Sequence, residues 1–519
     1  MIAWTIYITF AGAFGLLLMP RFFARWIALA TALAGFAISL LAFFQTPYAG
    51  SFATVVRVPW VPSLGMEFHL AADGISLTLA LVTGLTAVSA VLFSWEVEHR
   101  PNEFFFWLLL VIGGSYGVFL SADLFLLFVF YELVIVPKYF LIAIWGSTNK
   151  EYGAMKLTLY SFLGGALVFL AIVAVYVTAG KSNVASALDL QQLARYQFSP
   201  EFQAWAFPVM FVGFAILAGI WPLHTWAPTG HVAAPTAGSM LLAGIVMKLG
   251  AYSALRVAMN LFPDGFQRWR VWIAVLGVIG IVYAAAVALR QRDLKFVIGY
   301  SSVSHMGFVL LGLATANVLG IGGAVLQMFS HGVIAALLFA VAGRMIYRRT
   351  HTRDLDALSE MGLGRALPFA AFSFVIASAA SMGIPGFSGF AAEITILLGA
   401  WKAYPIAVWV TGAGMVLVAA FTLRALKQTF FGDAATATLG GSAPNAFGTD
   451  PSYVSASPTI VTSSAERSIH RPENLSPITV AEKCGAALLI FATLAVGLYP
   501  RLLLDRIMPA VEALRVLNP

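Results

Sequence analysis

Residues 124–145 read LFLLFVFYELVIVPKYFLIAIW, and this stretch decides the class of fold. A helix needs about 20 mostly apolar residues to cross the hydrocarbon core of a bilayer. The stretch has that length and carries two charged side chains, Glu132 and Lys138. A charge at mid-bilayer costs about 2.5–3.5 kcal/mol even on lenient insertion scales, so it is a functional hypothesis by default. The stretch therefore predicts a membrane-spanning helix with functional polar groups.

The composition of the whole chain agrees with a membrane protein. Of its 519 residues, 60% are hydrophobic and 10% are charged, and the mean hydropathy is +0.88. Soluble domains contain about 45–50% apolar and about 25% charged residues, so a water-soluble enzyme, a disordered chain and a disulfide scaffold are excluded. The single cysteine, Cys484, allows no intramolecular disulfide. We expect it to be a small buried residue at a helix start.

Apolar runs of spanning length recur about fourteen times, which predicts an all-α polytopic membrane protein. The expected spans are 1–19, 26–45, 73–95, 104–121, 123–143, 154–179, 204–222, 235–259, 272–289, 298–316, 318–345, 367–399, 404–430 and 481–499.

The net charge of +7 is distributed in the loops between these runs. Such scattered Lys and Arg residues do not form a nucleic-acid-binding face, and we expect the lipid bilayer as a partner. Loops after odd-numbered spans hold thirteen Lys and Arg residues, and loops after even-numbered spans hold six. Because cytoplasmic loops carry the excess of positive charge, the odd loops should be cytoplasmic. Both termini should then face the non-cytoplasmic side, in a bacterial inner membrane.

We single out six ionisable side chains inside the expected spans. Five lie centrally and are candidate proton carriers: Glu132, Lys248, His305, His331 and Glu393. Lone buried histidines are usually satisfied core groups, but these two accompany buried carboxylates and a lysine. Lys138 lies nearer the predicted cytoplasmic end of its helix, where a lysine can reach the surface. We treat it as an accessory candidate.

Two expected spans contain helix-breaking residues. Pro222, Pro228 and Pro235 lie in the segment that ends the seventh span and leads into the eighth, and Pro385 lies between glycines in the twelfth. Within a membrane, such breaks survive only where protein or a water-lined cavity satisfies the freed backbone groups. Discontinuous helices in two separate parts of a chain are typical of transporters built from repeats. The alternative interpretation is a pair of packing kinks.

Other chemistry has no recognisable motif. The sequence has no phosphate-binding loop, no His/Cys metal spacing and no nucleophile elbow, so phosphoryl transfer, zinc hydrolysis and flavin or nicotinamide binding have no predicted site. We expect no catalytic residue, cofactor or metal on this chain. His224 and His231 lie seven residues apart but lack a third ligand, and they remain possible accessory residues.

Four motifs give the chain a resemblance to a known family. They are FVFYELVIVPKYFLIAIWG, PLHTWAPTGHVAAPTAGSMLLAGIVMKLGAY, DLKFVIGYSSVSHMGF and GIPGFSGFAAE, and LGMEFHLAADGISL before the third span also fits. The chain resembles the antiporter-like membrane subunits of respiratory complex I, and most of all the M-type subunit, or chain 4. Mrp-type cation/proton antiporter subunits share this architecture.

The resemblance implies fourteen helices, with two inverted five-helix repeats and broken helices 7 and 12. It divides the chain into N-terminal helices (1–121), a first repeat (122–260), a second repeat with helix 13 (261–432) and a last helix with its tail (481–519). Between the last two parts, small and polar residues, glycine and proline dominate the sequence, and this composition predicts a flexible cytoplasmic loop (433–480). The family's buried proton axis matches Glu132, Lys248, His305, His331 and Glu393. NADH, flavin, iron–sulfur clusters and quinone would be held by partner subunits.

The chain departs from the family pattern at Leu217, Gly219 and Thr229, and the first of these bears on the mechanism. The lysine expected in helix 7 is Leu217 here. One hypothesis is that Lys138 supplies the missing cation, and the competing one is that pumping is lost or altered. Apart from this position, the resemblance implies a proton-translocating subunit of an NADH:quinone oxidoreductase. The alternatives are an antiporter-type subunit of a Mrp antiporter, a membrane-bound hydrogenase or a bicarbonate-uptake complex, and a structural subunit that no longer moves ions.

Overall fold

A computed structural model describes residues 1–45, 50–181, 187–432 and 475–517. Most of the predicted cytoplasmic loop, 433–474, lies outside the described residues. The helices that cover the expected spans are α1 (Trp4–Leu18), α2 (Ala24–Gln45), α3 (Gly74–Phe93), α4 (Pro101–Leu120), α5 (Leu124–Leu133), α6 (Ile135–Trp145), α7 (Lys150–Lys181), α9 (Pro200–Ala218), α10 (Trp226–Ala233), α11 (Thr236–Leu241), α12 (Met247–Ser253), α13 (Pro263–Arg290), α14 (Leu294–Ala314), α15 (Val318–Ala340), α19 (Pro368–Ser381), α20 (Ser388–Ala403), α21 (Pro405–Phe430) and α22 (Val480–Leu498).

Short elements complete the described chain. Three π-helical segments extend α11, α12 and α15, at Leu242–Val246, Ala254–Met259 and Val341–Tyr347. The remaining helices are α8 (Leu190–Leu193), α16 (Arg348–Thr350), α17 (Leu355–Ser359), α18 (Leu363–Ala366) and α23 (Arg501–Glu512).

The predicted all-α polytopic membrane fold is confirmed. Among the described residues, twelve helices are long and apolar enough to cross a membrane, and Trp4–Leu18 and Pro368–Ser381 are shorter apolar helices. The number of spans that actually cross, the repeats and the domain boundaries stay predictions.

Burial separates a central group of helices from a peripheral one. The continuous helical segments Thr236–Met259 and Val318–Thr350 are almost entirely covered by other helices. In contrast, α21 exposes large apolar side chains such as Ile406 and Trp409, which are 80% and 73% exposed. Polar groups on the central helices are therefore shielded from lipid, while the outer helices offer apolar surface to lipid or to partner subunits.

Both predicted helix interruptions are present. The first separates α9 from α10, where Gly219 has a φ of 71°, and the second separates α19 from α20, where Gly383 has a φ of 68°. A third interruption, between α5 and α6 at Val134, was not predicted. Its cause is Pro137, which lacks a backbone N–H and clashes with the carbonyl of Leu133, the last residue of α5.

Three local features differ from the sequence-based expectations. Two antiparallel strands, β1 (Ala53–Val61) and β2 (Met66–Ala72), precede α3, and the helix α23 follows α22. Neither was predicted, because both are shorter than a spanning segment. The expectation for Cys484 was wrong: its side chain is exposed, because it lies on the outward face of the peripheral helix α22.

Candidate functional site

Lys248 lies at the centre of the molecule with no exposed surface. It stands on α12, between the π-helical segments Leu242–Val246 and Ala254–Met259. Its Nζ donates to the carbonyl oxygen of Ala243 and lies 2.8 Å from Nδ1 of His331 on α15. An ammonium has three donors and no acceptor, so these two contacts use two of its protons.

The row of polar groups continues from His331 to α20. The ring centroids of His331 and His305, which lies on α14, are 5.3 Å apart. Nε2 of His305 lies 3.7 Å from Oε1 of Glu393 and 3.1 Å from the carbonyl oxygen of Ser381. Lys248, His331, His305 and Glu393 therefore form one contiguous buried row, contributed by four different helices.

The break between α19 and α20 makes room for Glu393. A Cβ atom built on Gly383 would lie 2.4 Å from Oε2 of Glu393. Gly383 also has a left-handed backbone, which glycine adopts at little cost. The interruption thus allows the Glu393 carboxylate, at the end of the row that starts at Lys248, to pack against the backbone of Gly383.

Glu132 lies apart from this row, on the last turn of α5. Its carboxylate packs against α7, where a Cβ atom on Gly165 would lie 1.9 Å from Oε1. That oxygen is buried and has no hydrogen-bond partner among the described residues. A buried polar atom without a partner costs about 1–3 kcal/mol, so Glu132 occupies a site that a purely structural residue would not favour.

Lys138 is buried rather than directed to the surface, with 3% of its area exposed. Its Nζ has no hydrogen-bond partner, and no ion pair within 4.0 Å joins it to Glu132, although both residues lie in the described part of the chain. The side chain lines a cavity of about 10 Å³ together with residues of α4, α6, α11 and the first π-helical segment: Val111, Leu141, Ile142, Gly238, Leu241, Leu242 and Val246. Such a space holds about one water molecule.

Leu217 lies in the last turn of α9 and is 1% exposed. Its backbone packs against α12, where a Cβ atom on Gly250 would lie 3.1 Å from the carbonyl carbon of Leu217. Position 217 therefore lies against the face of α12 that carries Gly250, and it contributes an aliphatic side chain.

His224 and His231 have separate surroundings. The ring of His224 lies 5.5 Å from that of Tyr283 and 6.1 Å from that of Tyr300, whereas His231 stacks on Phe339 at 4.8 Å. Among the described residues, the group with metal-ligand geometry is a different one, Glu67, His69 and Asp189.

Sequence reasoning missed several buried polar groups. Lys295 falls between the expected spans 272–289 and 298–316, but it is 2% exposed and its Nζ donates to the carbonyl oxygen of Ala234 at 2.9 Å. Arg256 pairs with Asp73 in a buried ion pair. The DLK motif contained a signal for Lys295, because an acidic helix cap precedes it and places it in the first turn of a helix.

Comparisons with known proteins give the family. Residues 121–419 match the family described as "NADH:quinone oxidoreductase/Mrp antiporter, TM". The chain is 39% identical over 416 residues to "NAD(P)H-quinone oxidoreductase chain 4 1" of Synechococcus elongatus, covering 79% of this chain and 77% of the relative. It is 34% identical over 500 residues to "NADH-quinone oxidoreductase subunit M" of Rhodobacter capsulatus, covering 95% and 90%.

Solved structures share the fold. A chain of respiratory complex I from Thermus thermophilus superposes with a TM-score of 0.85 at 26% identity, covering all of both chains. A chain of the Mrp complex from Dietzia sp. superposes with a TM-score of 0.80 at 22% identity, covering 99% of this chain and 97% of the other. The protein is therefore an integral membrane protein that belongs to the NADH:quinone oxidoreductase/Mrp antiporter family, and within it to the chain 4, or M-type, group.

Proposed function

We propose that this chain is a proton-translocating membrane subunit of an NADH:quinone oxidoreductase. Protons would move along Glu132, Lys248, His331, His305 and Glu393, driven by electron transfer in partner subunits that hold NADH, flavin, iron–sulfur clusters and quinone. The observation that carries this proposal is the contiguous row from Lys248 to Glu393, which is buried among helices and joined by short side-chain distances.

The row suits proton transfer because each of its side chains can bind or release a proton. Lys248 can only donate a hydrogen bond, whereas a neutral imidazole has one donor and one acceptor nitrogen. His331 can therefore accept a proton from Lys248 at Nδ1 and release another from Nε2. His305 faces Glu393, so the last transfer ends on a carboxylate.

Electrostatics supplies the coupling. Charges interact strongly at the low effective dielectric of a buried site, so moving one proton along the row changes the free energy of the next position. A change in partner subunits that stabilises or removes one charge would therefore shift the others. The redox reaction itself needs no group on this chain.

The gap between Glu132 and Lys248 contains Lys138. Lys138 lines the same small cavity as Val246, and Lys248 donates to Ala243 in the same π-helical segment. We infer that Lys138, together with one water molecule, takes the place of the family lysine whose position is occupied here by Leu217. Its unpartnered Nζ supports this role, because a buried ammonium without a partner carries a large desolvation cost.

The experiment is proton translocation by the purified complex in liposomes, with wild type compared to Glu132→Gln and Lys248→Ala. Both variants should assemble and translocate far fewer protons per electron. Lys402→Ala is the matched control, because Lys402 is exposed on α20. Full pumping by both axis variants would refute the proposal.

A second candidate is an antiporter-type subunit in another assembly, which the fold of the Mrp chain favours. Purification in mild detergent separates the two: co-purifying redox subunits support the first function, and a complex of antiporter subunits alone supports the second. A structural subunit without transport has Leu217 as its support, and the pumping assay decides that case.

A further inference from the structure

A compact group of cation ligands lies outside the expected spans, where the hairpin of β1 and β2 meets the segment just before α8. Its members are Glu67 and His69 on β2 and Asp189, the residue that caps α8. One ligand atom from each member lies within 4.8 Å of the other two. Both segments follow even-numbered expected spans, so the group lies on the predicted non-cytoplasmic face.

Backbone hydrogen bonds fix the positions of these ligands. The backbone N–H of Leu190, next to Asp189, donates to the carbonyl oxygen of Ala122 at 2.8 Å. The N–H of Ala122 in turn donates to the carbonyl oxygen of His69 at 2.8 Å. Glu67 and His69 are two positions apart on one strand and therefore face the same side of it. A site whose ligands lie on such fixed backbone needs little rearrangement to bind an ion.

The buried imidazole of His69 has the two contacts that a metal-binding histidine needs. Nδ1 lies 2.7 Å from Oδ2 of Asp189, and Nε2 lies 2.8 Å from Oγ1 of Thr54. A hydroxyl can donate or accept, so Thr54 can accept from the Nε2–H group when Nδ1 binds a cation. Histidines that bind metals usually donate their other ring N–H to an oxygen acceptor, which fixes the tautomer and orients the ring.

The guanidinium of Arg57 lies on the open side of the group. Its Nε lies 2.7 Å from Oε2 of Glu67, and its Nη2 lies 3.5 Å from Oδ2 of Asp189. The second distance is long for a charge-assisted hydrogen bond, which is about 2.7–2.9 Å, so Arg57 satisfies the buried Asp189 poorly. Its side chain is 40% exposed and can turn into water without moving the strand.

Negative charge is in excess at this place. The carboxylate of Asp123 accepts from the backbone N–H of Glu67 at 3.3 Å, so it lies beside the group. Three carboxylates, on Glu67, Asp123 and Asp189, thus surround a single guanidinium. Because opposite charges attract more strongly as their charge increases, this arrangement favours a doubly charged cation over Arg57.

We propose that Glu67, His69 and Asp189 form a binding site for a divalent transition-metal ion, best matched by Zn²⁺, and that Arg57 takes the position of the ion when none is bound. One imidazole nitrogen and two carboxylate oxygens suit Zn²⁺ and leave a fourth position for water, whereas Mg²⁺ and Ca²⁺ prefer oxygen ligands alone. The ion would join the hairpin to the segment before α8. The sequence did not predict this site, because Asp189 lies 120 positions from His69 and no local spacing motif connects them.

The first experiment counts zinc on the purified complex. Wild type and variants are treated with a chelator, dialysed against Zn²⁺, and analysed by elemental mass spectrometry. Glu67→Gln and His69→Gln should each bind one zinc ion fewer per complex than wild type. His99→Gln, at an exposed histidine, is the control and should bind like wild type.

Equal zinc in wild type and in the ligand variants would overturn the site. Glu67→Gln decides the question if His69→Gln does not assemble, because the Glu67 side chain is 22% exposed and its amide fits the same space.

The second experiment tests whether the ion and Arg57 compete for one position. Arg57→Ala removes the competing positive charge, so it should tighten Zn²⁺ binding about tenfold, measured by dialysis over a series of zinc concentrations. Arg195→Ala, at an exposed arginine on the same predicted face, should leave the affinity unchanged. A purely structural ion-pair network predicts no gain, so unchanged or weaker binding by Arg57→Ala would contradict the shared position.

The third experiment identifies the ligands by X-ray absorption at the zinc edge. A complex loaded with one equivalent of Zn²⁺ should show nitrogen and oxygen neighbours at about 2.0–2.2 Å, with the outer-shell scattering of one imidazole. Sulfur neighbours at about 2.3 Å would place the ion elsewhere and reject the site. Displacement of Zn²⁺ by excess Mg²⁺ would also reject it, because Mg²⁺ does not replace an ion that imidazole holds.

Discussion

Nζ of Lys248 lies 2.8 Å from Nδ1 of His331, although the two residues are 83 positions apart in the sequence. When Lys248 is charged, its ammonium can only donate, so Nδ1 of His331 then accepts and the neutral ring carries its proton on Nε2. The contact also joins α12, which carries Lys248, to α15, which carries His331.

Replacing the acceptor should therefore weaken translocation. In His331→Phe, Lys248 keeps its bond to Ala243 and loses a charge-assisted hydrogen bond worth about 1.5–3 kcal/mol. We expect a several-fold decrease in protons per electron with an intact complex, measured in liposomes. His351→Gln, at an exposed histidine, is the control, and equal pumping by both variants would contradict a role for His331.

Gly165→Ala tests the position of the Glu132 carboxylate. The new methyl group would lie 1.9 Å from Oε1, so the carboxylate must move away from α7. We expect a large loss of translocation with normal assembly, because a misplacement of about 1 Å can cost about 100-fold. Gly180→Ala lies on the same helix with nothing within 4 Å and should behave like wild type. Unchanged pumping in Gly165→Ala would show that the position of Glu132 is not critical.

Lys138→Met tests whether this buried lysine carries protons. Methionine keeps the volume and apolar stem but removes the charge, so translocation should fall while stability rises or stays equal. The combination Lys138→Met with Leu217→Lys restores the family arrangement and should recover at least part of the activity. If Lys138→Met pumps normally, the lysine is not part of the path. If the double variant stays inactive, position 217 cannot replace it.

Gly383→Ala tests the break that accommodates Glu393. An alanine at a φ of 68° costs about 1–2 kcal/mol, and its methyl group would collide with the carboxylate. We expect lower thermal stability in detergent together with reduced pumping. Gly412→Ala, with nothing within 4 Å, is the control on α21. A Gly383→Ala complex with wild-type stability and activity would exclude this explanation of the break.

Much of the fold followed from local patterns in the sequence. Hydropathy located the helices, and the prolines at 222 and 385 located two interruptions, because these are properties of a segment and its own backbone. Pro137 is likewise a helix-breaking residue and explains the break at Val134. That break was not predicted, because the apolar residues around Pro137 read as one continuous span. The strands β1 and β2 were missed because their length is far below that of a span.

The candidate site was only partly predictable. Glu132, Lys248 and Glu393 stood out because charge is rare in apolar runs, whereas Lys295 was taken for a loop residue at a helix start. Lys138 was expected near the surface, but the neighbouring helix ends cover it. Burial of a residue near a helix end depends on what packs over it, and hydropathy along one segment does not contain that information.

The sequence by itself determined that this is a helical membrane protein with a few central charges, since the cost of placing polar groups in hydrocarbon acts residue by residue. The tertiary structure decided that Lys248, His331, His305 and Glu393 lie next to one another in that order, while Glu132 lies apart. Those relationships depend on how side chains of different helices interlock, and residues that are neighbours in space can be far apart along the chain.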